Sequence, residues 1–148
     1  MVLVIRGETP SKKNSRINTR SGRSFPSKRY TEWLNSALAQ VIEQTAEAYA
    51  RGSTLRFEKS SRLSLTVTFY HGDLRRRDSD NQLSSILDML VDAQVLADDD
   101  WTTLPAKFVF DVYDKGNPRC VICLEPIKEE ALFSRIVSKI LSFFRPCE

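Results

Sequence analysis

The stretch Arg62–Tyr70 constrains the fold most. Leu63, Leu65, Val67 and Phe69 alternate with Ser64, Thr66, Thr68 and Tyr70. A period of two puts the apolar set on one face and the polar set on the other, as in a half-buried β-strand. A segment of different period follows. Leu83, Ile86, Leu87, Leu90 and Val91 form the apolar stripe of a helix that Asp80 can cap. Asn81, Ser84, Ser85, Asp88 and Asp92 share its other face. Asp88 therefore lies on the side of the acidic residues that open the helix.

The remaining segments fit the same class. Val2–Ile5 is apolar throughout and reads as a strand buried on both faces. Residues 7–26 are rich in Gly, Pro, Ser and Asn; a connection of this length without its own structure is usually functional or disordered. We expect a substrate-facing loop that orders on nucleic acid. Ser27 is a suitable N-cap for a helix running to about Arg51, with Gly52 as its stop. Trp33, Leu34, Ala37, Leu38, Val41, Ile42 and Ala46 form its core-facing stripe. Residues 54–61 are a polar connector. Lys107–Tyr113 and Arg119–Leu124 read as strands joined in a hairpin through Asp114-Lys115-Gly116-Asn117-Pro118. Cys120 and Cys123 lack the second ligand pair that zinc needs and read as buried thiols. Residues 129–144 form a final amphipathic helix, suited to packing on the core or on a second subunit. The expectation is one α/β (α+β) domain over residues 1–148, a small mixed β-sheet packed with helices, plus this appended helix.

Charge points to the partner. The chain carries a formal +3. Yet Arg6, Lys12, Lys13, Arg16, Arg20, Arg23, Lys28 and Arg29 stand against Glu8 alone in the first thirty residues. So local a positive field suits an anionic partner. Three cysteines, an odd number, suit a reducing compartment. No apolar run approaches the roughly 18 residues of a membrane span, and Met1–Ile5 is too short for a signal-peptide core. A cytoplasmic protein with no membrane partner and no organic cofactor is expected.

The chemistry lies between the strand and the helix, in Arg75-Arg76-Arg77-Asp78-Ser79-Asp80-Asn81, with a second acidic cluster downstream, Asp98-Asp99-Asp100. Carboxylates bind hard divalent cations through oxygen, and Mg²⁺ keeps one or two of them plus waters and substrate phosphate. Arginines grip phosphate oxygens bidentately. If Asp78 and Asp80 leave an extended strand end, their side chains point the same way, and the downstream cluster must return beside them to complete a metal site. Other readings compete. An Asp-rich helix cap needs no metal. A calcium loop fails, because Leu83 stands where its glycine and Met89 where its bidentate glutamate should be. A nucleotide-sugar site needs a larger domain. His71, the single histidine, reads as incidental.

The ordered set Arg75-Arg76-Arg77-Asp78-Ser79-Asp80-Asn81, Asp88-Met89-Leu90 and Asp98-Asp99 resembles the RusA family of Holliday-junction resolvases. Pro10-Ser11-Lys12-Lys13-Asn14 is similar to that family's Pro-Ser-x-Asn loop. The resemblance covers about residues 2–125. It implies a homodimeric, Mg²⁺-dependent endodeoxyribonuclease of phage or bacterial origin, with Mn²⁺ able to substitute, that cuts four-way DNA junctions by paired symmetric nicks in recombination and repair. It further implies that Asp78, Asp80 and Asp99 hold the metal, with Asn81 and Asp88 in support. Lys12, Lys13, Asn14, Arg16, Arg20, Arg75, Arg76 and Arg77 would contact DNA. Two positions depart from the family pattern. Ser84 stands where the family has a catalytic lysine, and Gln94 where it has a glycine. Ser84 keeps two alternatives open: a junction-binding protein that does not cut, or a general Mg²⁺-dependent nuclease of flaps and single strands.

Overall fold

The computed structural model describes residues 1–53, 57 and 61–127. The amphipathic segment 129–144 lies outside the described residues. The elements in order are β1 (Val2–Arg6), β2 (Arg16–Asn18), β3 (Ser24–Pro26), α1 (Lys28–Ala50), β4 (Leu63–His71), α2 (Ser79–Asp92), β5 (Ala106–Tyr113) and β6 (Arg119–Pro126). Among the described residues, four strands form one mixed sheet in the order β1-β6-β4-β5, and β2 and β3 form a separate hairpin. This is the α+β class that the patterning implies.

The alternating strand takes the centre. Leu63, Leu65, Val67 and Phe69 are buried on one face of β4, where each contributes about 1.5–3 kcal/mol relative to exposure. Ile122 and Leu124 of β6, Leu3 and Ile5 of β1, Ile86, Met89 and Leu90 of α2, and Ala37 and Val41 of α1 pack into this core. β5 and β6 do not pair with each other, contrary to the hairpin expected from their turn. β4 lies between them, parallel to β5 and antiparallel to β6. The long alternating strand outcompetes the local pairing, and residues 114–118 step across its end. There Asp114 N–H donates to His71 O and Gly7 N–H to Pro118 O.

β1 is buried on one face only, since Val2 is 59 % and Val4 36 % exposed. It is an edge strand, and α1 covers its open side with polar side chains. Val4 N–H donates to Gln44 Oε1 (2.9 Å) and Gln44 Nε2 to Val4 O (2.8 Å), while Arg6 N–H donates to Gln40 Oε1 (2.7 Å). Two glutamines one helical turn apart thus stand in for a neighbouring strand and block edge-to-edge pairing. Ile42 is 64 % exposed, so the buried stripe of α1 is narrower than its apolar residues suggest.

α1 and α2 end in the same left-handed cap. In α1, Gly52 (φ +75°) donates to Tyr49 O and Ser53 to Ala48 O. In α2, Gln94 (φ +57°) donates to Val91 O and Val95 to Leu90 O. This is the Schellman arrangement, which favours glycine at the left-handed residue. Gln94, the position where the resemblance implies a glycine, therefore meets a backbone requirement with a strained residue.

Candidate nucleic-acid cleft and acidic site

The end of β4, the start of α2 and the segment after β1 enclose an open cleft of about 840 Å³. Glu8, Pro10, Ser11, Asn14, Arg29, Arg75, Arg76, Asp78, Asp80 and Gln82 are among its lining residues. The basic and acidic motifs, distant in sequence from the Pro10–Asn14 segment, thus share one wall-to-wall site.

Asp78, not Asp80, caps α2. Its backbone is extended (φ −112°, ψ 104°), and its carboxylate accepts from Asn81 N–H (3.3 Å) and from Asn81 Nδ2 (2.6 Å). Asp80 sits within the first helical turn and is exposed. The pair therefore does not leave a strand end together; both stand at the positive end of the helix dipole, which stabilises carboxylates and also suits phosphate. Ser84 follows one turn later, half-buried.

Asp99 is placed elsewhere. Val95 and Leu96 bond back to Leu90 O at the end of α2, and Asp100 O accepts from Leu104, next to Thr103, whose carbonyl accepts from Leu63 at the start of β4. Asp98–Asp100 thus follow the C-terminal end of α2, a 14-residue helix about 21 Å long whose other end carries Asp78 and Asp80. Among the described residues, no three His, Cys, Asp or Glu side chains converge as a metal-ligating group. Asp100 closes its own loop: the Thr102 hydroxyl and the Thr103 N–H hold its carboxyl below the ordinary carboxylate range.

The loop containing Lys12 is fastened from α2. The Ser85 hydroxyl accepts from Lys12 N–H (2.9 Å) and donates to Pro10 O (2.8 Å), and Gln82 Nε2 donates to Thr9 O (2.6 Å). Ser85 and Gln82 are buried, although helical periodicity assigns Ser85 to the solvent side. Lys12 Nζ pairs with Asp88 at 2.5 Å, so Asp88 acts on the basic loop rather than on Asp78 or Asp80. Tyr30 is buried beside it; burial, then the charge of Asp88, pushes its hydroxyl up to about 12. Beyond this loop, residues expected to be irregular form the β2–β3 hairpin, where Arg16 bonds Ser24 and Arg20 is exposed.

The arginine run divides in two. Arg77 is largely buried and turns inward, to Glu8 (2.9 Å) and Asp73 (2.9 Å). Hydrogen bonds from the Arg75 backbone and from Arg77 hold the Asp73 carboxyl low. Arg75 and Arg76 are exposed along the cleft. His71 is not incidental. Nδ1 meets Glu8 (2.7 Å) and Nε2 meets Asp111 (2.9 Å), whose other oxygen accepts from Ser79 (2.5 Å). This chain of contacts links the cleft wall to the start of α2. The period predicts a strand ending at Tyr70, whereas β4 runs on to His71, and only the parallel pairing with β5 reveals its second partner.

Fold and cleft together define a small α+β protein that presents carboxylates and arginines around one open, polar groove. No family model matches the chain. It is similar to the crossover junction endodeoxyribonuclease RusA of Aquifex aeolicus (strain VF5), 26 % identical over 122 residues that cover 79 % of this chain and 84 % of that protein. This match bears out the resemblance to the RusA family, as a distant relationship. Among the described residues, no helix is long and apolar enough to cross a membrane.

Proposed function

We propose that the chain is a Mg²⁺-dependent endodeoxyribonuclease that resolves four-way DNA junctions as a homodimer. The observation that carries this reading is the placement of Asp78 and Asp80 at the N-terminus of α2, inside a cleft lined by Arg75 and Arg76. The likeness to a crossover junction endodeoxyribonuclease supports it. Two carboxylates open to solvent are a donor set that fits Mg²⁺, which needs only one or two with waters and substrate phosphate. Such an ion, when bound, lowers the pKa of its water and offsets charge on the leaving oxygen.

The chain's own groups supply positioning and charge. Asn81 fixes the rotamer of Asp78 through its side-chain amide. Arg75 and Arg76 take phosphate oxygens, and the N-terminus of α2 adds its dipole. Lys12, held by Asp88 and Ser85, presents the basic loop, with Lys13, Asn14, Arg16 and Arg20 extending the contact along the backbone. Arg77 keeps Glu8 and Asp73 in place. Asp99 follows the opposite end of α2, so in this reading a second copy supplies it as the third ligand, which the twofold symmetry of a junction also suits.

Asp80→Asn should abolish cleavage of a labelled junction while retaining binding. A mixture of Asp80→Asn and Asp99→Asn subunits should recover part of the activity, because one site of each mixed dimer keeps both carboxylates. An Asp80→Asn protein that still cuts would refute the metal assignment. A second reading, junction binding without cleavage, is favoured by Ser84, which cannot offset phosphate charge as a lysine would. It predicts salt-sensitive binding and no product under any divalent ion, and cleavage gained by Ser84→Lys.

A further inference from the structure

The β2–β3 hairpin carries an apolar pair that the cleft chemistry does not use. Ile17 and Phe25 stand directly opposite each other in register, so they share one face. They are 55 % and 50 % exposed. The opposite face is stiffened where Arg16 Nε donates to Ser24 Oγ (2.7 Å) and its Nη2 to Ser24 O (3.1 Å). The turn is closed by Thr19 N–H on Arg23 O and the base by Ser27 N–H on Ser15 O. The pair is therefore presented by a hydrogen-bonded scaffold. Ser15 lines the cleft, and two strand residues carry Ile17 about 7 Å beyond it.

The occupant follows from charge. No acidic residue lies between Glu8 and Glu32, and Lys13, Arg20 and Arg23 surround the pair in sequence. A second copy seated here about a twofold axis would set this basic hairpin against itself. A polyanion that also offers flat apolar surfaces meets both demands, and nucleic acid does so once its bases are unstacked. We propose that Ile17 and Phe25 form a wedge that seats against an opened base step beside the phosphates held in the cleft. This rests on the DNA reading above, and it concerns distortion of the substrate rather than cleavage.

The test uses the full chain in EDTA, so that binding is read without cutting. A four-way junction carries a purine analogue, quenched by stacking, at the point of strand exchange. Wild-type protein should raise its fluorescence. Phe25→Ala should lose that rise and bind about tenfold more weakly, the effect of losing one aromatic–base contact. Phe25→Trp should restore both, with the tryptophan emission quenched on binding. A full rise with Phe25→Ala and Ile17→Ala combined would overturn the wedge while leaving the DNA reading intact. Conversion of a wild-type dimer to a monomer by Phe25→Ala would also overturn it, by making the pair a subunit contact. Failure of wild-type protein to bind any junction would overturn the DNA reading itself.

Discussion

Gln94→Gly should stabilise the protein, and the structure sets the size of the effect. Gln94 is exposed and holds φ +57° at the cap of α2. A left-handed backbone costs a residue with a Cβ about 1–2 kcal/mol. Glycine removes that cost but loses about 0.5–1 kcal/mol of extra chain entropy on folding. The net gain is about 0.5–1 kcal/mol, a rise in Tm of about 1–4 °C at this chain length. α1 supplies the control, since Gly52 occupies the same position of the same cap and a Cβ there meets nothing within 4 Å. Gly52→Gln should therefore lower Tm by a similar amount, through the backbone alone. Both shifts can be read by calorimetry, with circular dichroism confirming that helix content is kept. If Gly52→Gln lowers Tm but Gln94→Gly does not raise it, side-chain contacts of Gln94 offset the strain and the reasoning fails.

Three further outcomes follow from the same geometry. Ser85→Ala leaves Lys12 N–H and Pro10 O without their partner, and should cost about 1–3 kcal/mol; amide exchange at Lys12 should accelerate more than at β4. His71→Ala removes the bridge between Glu8 and Asp111 and should lower stability by about 1–2 kcal/mol, with faster exchange in the first turn of α2. The folded pKa of Asp100 lies below its ordinary 3.8, so its hydrogen bonds stabilise fully above that value and are lost as pH falls through the lower folded one. The Tm difference between wild type and Asp100→Ala should accordingly be constant near neutrality and close below about pH 4; a difference that persists into stronger acid would contradict this.

What the sequence made legible was local. The alternation of Arg62–Tyr70, the Ser27 cap and Gly52 stop of α1, and the apolar stripe of α2 each follow from periods and caps that neighbouring residues determine. The partners of those elements were not legible. The turn Asp114–Pro118 looks like a hairpin, but β4 takes both strands as neighbours and lies between them. Gln40 and Gln44 look like ordinary solvent-facing helix residues until β1 is found beside them. In the site, the adjacency of Arg75, Arg76, Asp78 and Asp80 is written in the chain. The position of Asp99 at the other end of α2, and the roles of Ser85, Glu8 and His71, depend on strand order. Arg77 shows the same limit: composition groups it with Arg75 and Arg76, whereas packing turns it towards Glu8 and Asp73.

Metal-dependent cleavage of a branched substrate can be read in one assay. The purified chain is incubated with a labelled mobile four-way junction, a linear duplex and a flap, each with Mg²⁺ or EDTA. A resolvase should leave paired nicks on the junction, in Mg²⁺ alone, with the duplex intact. Cleavage of flaps or single strands at least as fast as of junctions would contradict the resolvase reading, and tight junction binding with no product under any divalent ion would contradict the nuclease.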